Sequence, residues 1–273
     1  MTTNDRYFRA RATRVDQRRR REGRSVSEYR HISFQSDPSN RAINDESIHL
    51  TRITRLTNRN TRPQVVMSAF GVGGYALVCV YFVVGSAVTK VKMKQKQEEG
   101  IAEARGGFRG PGSVWGSGTA GILCALAAIT GCTPVPEHLW RLGFVASFCS
   151  KLSDTTASEI GKAYGKTTYM STPPFKLVPR GTEGAVSAEG AGAGIVISAL
   201  FAFLAVSIGQ LASFVEVGVC VVAAFVATSF ESMLGAVVQG KKGFDWLTND
   251  VVNGIQITLA SVIAVVLGKA ITM

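Results

Sequence analysis

Histidine is scarce in this chain of 273 residues: there are 3, with His31 and His49 in an Arg-rich stretch and His138 alone in a loop. The five cysteines (Cys79, Cys124, Cys132, Cys149, Cys220) form no CxxC pair, and four of them fall in apolar blocks. These shortages argue against a His/Cys metal centre and a His-based nucleophile system, both of which need their ligands grouped. The cysteines read as small packing residues. Also missing are the GxxxxGK[ST] phosphate loop, GxGxxG, and the kinase HRD and DFG signatures, so no soluble kinase fold is indicated. Charge is low at 18% of residues, and it is unevenly spread.

What the chain has instead is apolar blocks. VVMSAFGVGGYALVCVYFVVGSAVT (65–89) carries no charge and is long enough to cross a hydrocarbon core. IVISALFAFLAVSIGQLA (195–212), VGVCVVAAFVATSF (217–230) and ITLASVIAVVLG (257–268) follow. Glycine, at 29 residues, recurs inside these blocks, as in helices that pack closely within a membrane. The expected fold is all-α, a polytopic transmembrane helical bundle of about six spans near 65–89, 113–131, 139–160, 187–212, 217–239 and 250–271. The third is the weakest, because only 142–149 is strongly apolar. It reads as a full helix with a wet end or as a re-entrant segment lined by protein.

Residues 1–63 hold 15 Arg, no Lys and 7 acids, a net charge of +8 in a total of +11. This arm is Ser/Thr-rich with little apolar periodicity and reads as disordered. No folded domain follows it to read a nucleic-acid groove, so nucleic acid is not the expected partner; an organelle-targeting segment is. The membrane domain is then 64–273. Its Lys and Arg gather in three loops, 90–112, 161–184 and QGKKGFDW, while GCTPVPEHLW and SFVEV between the other span ends contain a single Arg-free, Lys-free composition each. Alternating spans put the three basic loops on one face, which the positive-inside rule assigns to the cytosol or its organellar equivalent.

Four polar motifs lie toward that face. KLSDTTASEIGKAYG (151–165) spaces Asp154 and Ser158, and likewise Thr155 and Glu159, four apart on one broad helix side. Carboxylates beside hydroxyls suit a hard cation such as Mg²⁺; helix capping is the bland alternative. Glu231 in SFESMLGA sits within an apolar helix, where a charge needs a partner or a water cavity; its bland alternative is a helix–helix salt bridge or a protonated, hydrogen-bonded carboxyl. Glu189 lies one turn into the fourth span, within reach of the interface. NDVVN groups Asn249, Asp250 and Asn253 on one helical side, although Asp at a helix start also reads as a cap. In PRGTEGAVS, Gly181 and Gly184 would let backbone N–H groups approach an anion, with Arg180 gripping two oxygens. Gly190, Gly192 and Gly194 beyond it read as close-packing residues.

GVGGYALVCVYFVVGSAVTKVKMKQK, RGPGSVWGS, LWRLGFVASFCSKLSDTTASEIGKAYGKTTY, VPRGTEGAVSAEG and WLTNDVVN together resemble the plant phytyl-phosphate kinases, part of a large family of polytopic membrane proteins. The resemblance covers about residues 68–270. It implies transfer of a phosphoryl group from a nucleoside triphosphate (CTP or ATP) to phytyl monophosphate, giving phytyl diphosphate for tocopherol (vitamin E) and phylloquinone synthesis in a chloroplast membrane. The basic arm would then be a plastid-targeting segment. Site roles follow from the chemistry of such a transfer, which is mostly positioning and charge neutralisation. Asp154, Glu159, Glu231 and Asp250 are expected to be the catalytic carboxylates, holding one or two Mg²⁺ ions that bridge the nucleotide phosphates. Lys151, Lys162, Lys166 and Arg180, with Gly181, Thr182 and Gly184, are expected to bind phosphate, and Asn249 and Asn253 to orient the phosphates or a metal-bound water. The alternatives are a prenyl-alcohol (phytol) kinase or nucleotidyl transferase on the same lipids, or a membrane carrier of an anionic lipid.

Overall fold

The computed structural model describes residues 61–103, 111–238, 241, 243–244 and 246–272; the Arg-rich arm as far as residue 60 and much of the QGKKGFDW loop lie outside the described residues. Among the described residues six long helices make a bundle: α1 (Thr61–Thr89), α3 (Pro111–Thr130), α4 (Glu137–Tyr164), α5 (Ala188–Ser207), α6 (Phe214–Val238) and α7 (Asn249–Thr272). The short helix α2 (Met93–Glu98) follows α1. Strands β1 (Thr168–Met170) and β2 (Ala185–Ser187) pair antiparallel, with Thr168 opposite Ser187, between α4 and α5. Gln64–Thr89 and helices α5, α6 and α7 are long and apolar enough to span a membrane, and Gly116–Thr130 is a shorter apolar stretch.

Helix α4 is the third expected span, and it is a full helix of about 42 Å at 1.5 Å per residue, longer than a hydrocarbon core. It occupies the middle of the bundle and touches α1, α3, α5, α6 and α7. Leu142 through Ser153 is buried without interruption. A helix enclosed by protein need not be apolar all round, and α4 is accordingly not among the helices apolar enough by composition to span a membrane.

Close approach of backbones holds the neighbours. A Cβ on Gly190 would lie 2.4 Å from the Ala157 carbonyl oxygen, and one on Gly194 2.8 Å from Ser153 Oγ, so these two positions admit only glycine between α4 and α5. Gly192 meets nothing within 4 Å, which corrects the expectation that it packs like the other two. Gly190→Val should therefore destabilise the bundle by about 1–3 kcal/mol through overpacking, read as a lower melting temperature in detergent, whereas Gly192→Ala should leave it unchanged.

Helix α7 runs antiparallel to α4 along its length. Ser261 Oγ donates to the Gly143 carbonyl at 2.9 Å, and Gln256 Nε2 to the Ser150 carbonyl at 3.2 Å. On another side, Phe70 and Tyr81 of α1 pack on Phe144 and Phe148 with ring centroids 4.7 and 5.3 Å apart. Helix α1 breaks at Gly71 (φ 65°), and Gln210 from the α5–α6 connection fills the break by donating to the Phe70 carbonyl at 3.1 Å. An unpaired carbonyl there would be costly within a membrane.

Candidate functional site

The connection that ties the polar motifs together is made by Lys151. It sits mid-way along α4, 5% exposed, and its ammonium donates to Asp154 Oδ2 at 2.5 Å and to Asn253 Oδ1 of α7 at 2.8 Å. Lys151 and Asp154 are three apart on a helix, so sequence spacing places them on one face. Glu231 of α6 lies within electrostatic range of Asp154, Lys151 and Glu183 of the β1–β2 connection. One turn deeper on α7, the wholly buried Gln256 amide donates to Ser150 Oγ at 3.0 Å and Thr228 Oγ1 at 3.3 Å, tying α4, α6 and α7 together. Asn253 is about 6 Å into α7 and Glu231 about 10 Å from the end of α6, at 1.5 Å per residue. The cluster therefore lies just inside the basic-face end of these spans.

A second set of charges covers the last turns of α4. Lys96 of α2 is fully buried; its ammonium pairs with Glu159 Oε2 and donates to the Thr89 carbonyl at 2.9 Å. Lys162 stands 3.5 Å from Glu159 Oε1 and 3.9 Å from Glu103 Oε2. Arg180 grips both oxygens of Glu99 at 2.9 Å and donates to the Lys162 carbonyl at 3.3 Å. Lys92 donates to the Ala163 carbonyl at 3.2 Å and lies over the Tyr164 ring. The first two basic loops thus meet on one end of the bundle, as the alternation of spans requires.

Several expectations change. The four acids do not form one metal set: among the described residues no three Asp, Glu, His or Cys side chains gather closely enough to hold a metal ion. Glu159 is taken by Lys96, because a carboxylate only 3% exposed needs a cation of its own. Asp250 lies on the first turn of α7, whose Asp250 backbone packs against Gly116 of α3. Nor is Asp250 the cap: the hydroxyl of Thr248 accepts from the Val251 N–H at 3.4 Å.

The glycine loop has a packing role. Gly181 (φ 81°) and Gly184 (φ 72°) have left-handed backbones, and a Cβ at either would lie 2.5 Å from Ile101 Cγ2 or Ala236 Cβ respectively. These glycines seat the loop on the α2 end and on α6. Thr182 turns its hydroxyl to the Pro179 carbonyl at 2.7 Å. Lys166 is exposed, with its N–H 3.4 Å from Glu189 Oε1, and Asn249 is exposed at the start of α7. Lys96, Glu99 and Glu183 were not foreseen. Nothing in TKVKMKQKQEE separates Lys96 from its neighbouring lysines, and Glu183 was passed over for the glycines beside it.

Helical spans around a buried polar cluster define a polytopic integral membrane protein. The chain belongs to the family described as Integral membrane protein DUF92, which matches residues 63–261. It is 52% identical over 204 residues to Protein VTE6, chloroplastic, of Arabidopsis thaliana, covering 74% of this chain and 61% of that protein. The chain thus spans about three fifths of that relative's length. A membrane protein of Synechocystis sp. is 52% identical over 202 residues, covering 74% of this chain and 76% of its own. One from Methanocaldococcus jannaschii is 29% identical over 194 residues, covering 70% and 74%. No solved structure matches the chain.

Proposed function

We propose that the chain is a phytyl-phosphate kinase of a chloroplast membrane, transferring a phosphoryl group from CTP or ATP to phytyl monophosphate. The observation that carries this reading is the Lys151–Asp154–Asn253 cluster just inside the basic face, with Glu231 in range. A prenyl chain belongs in the bilayer, and its phosphate would reach polar groups at that depth. The chloroplastic relative supports the location, and the motif resemblance supports the activity.

The acceptor is a phosphate monoester, already a competent nucleophile. One of its oxygens attacks the γ-phosphorus, the bond from that phosphorus to the β–γ bridging oxygen breaks, and the nucleoside diphosphate leaves. No proton need be removed first, so the protein's task is positioning and charge neutralisation. Lys151, fixed by Asp154 and Asn253, is placed to meet acceptor phosphate oxygens. Lys162, Lys166 and Arg180 at the outer end suit the triphosphate. Asp154 and Glu231 fit Mg²⁺ in the shared manner usual for that ion, one or two carboxylates with substrate phosphates completing the set; the ion would supply neutralisation of phosphate charge. Glu159 does not fit that role, because Lys96 holds it.

The test is product mass. Pure chain in detergent is given phytyl monophosphate, Mg²⁺ and either CTP or ATP. Phytyl diphosphate formed only with metal and triphosphate is the expected result, and it names the donor. Activity on phytol alone would indicate an alcohol kinase, a nucleotidyl adduct a nucleotidyl transferase, and no product from folded protein would move weight to a carrier of anionic lipid.

A further inference from the structure

The cations at the basic end of α4 differ in how fully they are engaged. Lys151 has two short partners, Arg180 holds both oxygens of Glu99, and Lys96 is buried between Glu159 and the Thr89 carbonyl. Lys162 is different. Its nearest carboxylate oxygens, at 3.5 and 3.9 Å, lie outside the usual N–H···O range, and its side chain is 22% exposed. Its ammonium therefore keeps donors to give to an incoming anion.

The geometry of Glu159 explains why. The carboxylate is buried and must be neutralised. Lys96, entering from α2 behind it, takes Oε2, leaving Lys162 to face Oε1 at a distance. Without Lys96 the buried carboxylate would have Lys162 as its remaining ion-pair partner and would draw that ammonium inward. We propose that Lys96 is a positioning residue: by saturating Glu159 from within the bundle, it keeps Lys162 free to bind a phosphate of the nucleotide. This rests on the kinase reading for the identity of the ligand. It gives α2, a six-residue helix outside the spans, a part in substrate binding.

The experiment is equilibrium titration of CTP and ATP into the full chain in detergent, with turnover measured alongside. Lys162→Met and Lys96→Met should each weaken nucleotide affinity about tenfold, the loss of one charge-assisted contact, while kcat at saturating nucleotide changes much less. The double variant Lys96→Met/Glu159→Gln should recover near-normal affinity, because no buried carboxylate remains to capture Lys162. Adding Lys162→Met to that pair should lose affinity again. A purely structural Lys96 would lower the melting temperature without this rescue of affinity. Should Lys96→Met not fold, the double and triple variants carry the comparison.

Normal affinity in Lys162→Met, or a double variant as weak as Lys162→Met, would overturn the proposal while leaving the kinase reading standing. A wild-type chain that binds neither nucleotide would remove the kinase reading and this proposal together.

Discussion

On the proposed kinase reading, Asp154→Asn should lower formation of phytyl diphosphate by about 10²–10³-fold, the usual loss when one preorganised electrostatic group is removed from a reacting site. The choice of Asn matters. Its amide oxygen can still accept from Lys151, so α4 keeps its local bond and the buried ammonium is not stranded. What disappears is the negative charge, and with it the opposite charge beside Lys151 and a carboxylate for the ion. Asn253→Ala removes the other partner of the same ammonium, 2.8 Å away, without changing any charge. Its expected loss is smaller, about 10- to 100-fold, since a hydrogen bond between a neutral and a charged group is worth roughly 1.5–3 kcal/mol. Steady-state turnover of both variants, with circular dichroism to show that they fold, checks the ranking. Equal and near-normal rates would remove this cluster from the reacting site.

The spans were legible because hydrocarbon demands long apolar runs, and α1, α5, α6 and α7 meet that demand along their lipid-facing sides. Helix α4 was the hard case for a physical reason. Hydropathy reports contact with lipid, and α4 packs against five other long helices, so Lys151, Ser153, Thr155 and Glu159 are buried against protein. Those charges signalled buried contacts, since an ionisable side chain within a span needs a partner. Their pairing was not legible. Lys96 and Glu159 are 63 positions apart, and Lys151 and Asn253 are 102 apart; no local spacing announces either contact.

The same limit explains the two glycine readings. A small residue in a span says that something comes close, and for Gly190 and Gly194 that was α4. In PRGTEG a Cβ at Gly181 or Gly184 would meet Ile101 or Ala236, so packing alone already requires these two glycines. Composition signals a close approach without naming what approaches. For Asp250, another good capping residue, Thr248, stood two positions earlier, and its hydroxyl made the bond.

Glu159→Ala should cost about 3–5 kcal/mol of stability, the largest structural effect expected in the molecule, because it strands a charged lysine inside the protein. Lys96 is 0% exposed and would keep the Thr89 carbonyl as its hydrogen-bond partner there. Glu159→Gln retains an acceptor and should cost less. Salt separates this pair from its neighbour. Arg180 and Glu99 are also joined at 2.9 Å, but their side chains are 30% and 33% exposed, so Arg180→Gln should cost about 0–1 kcal/mol, fading as ionic strength rises. The Glu159→Ala deficit should persist from low to high salt, since the buried charge has no access to counterions. Thermal unfolding of the three variants in detergent at two ionic strengths reads both predictions at once. A Glu159→Ala protein as stable as the parent would mean that Lys96 finds water or another partner, and that α2 does not need this bond to stay on α4.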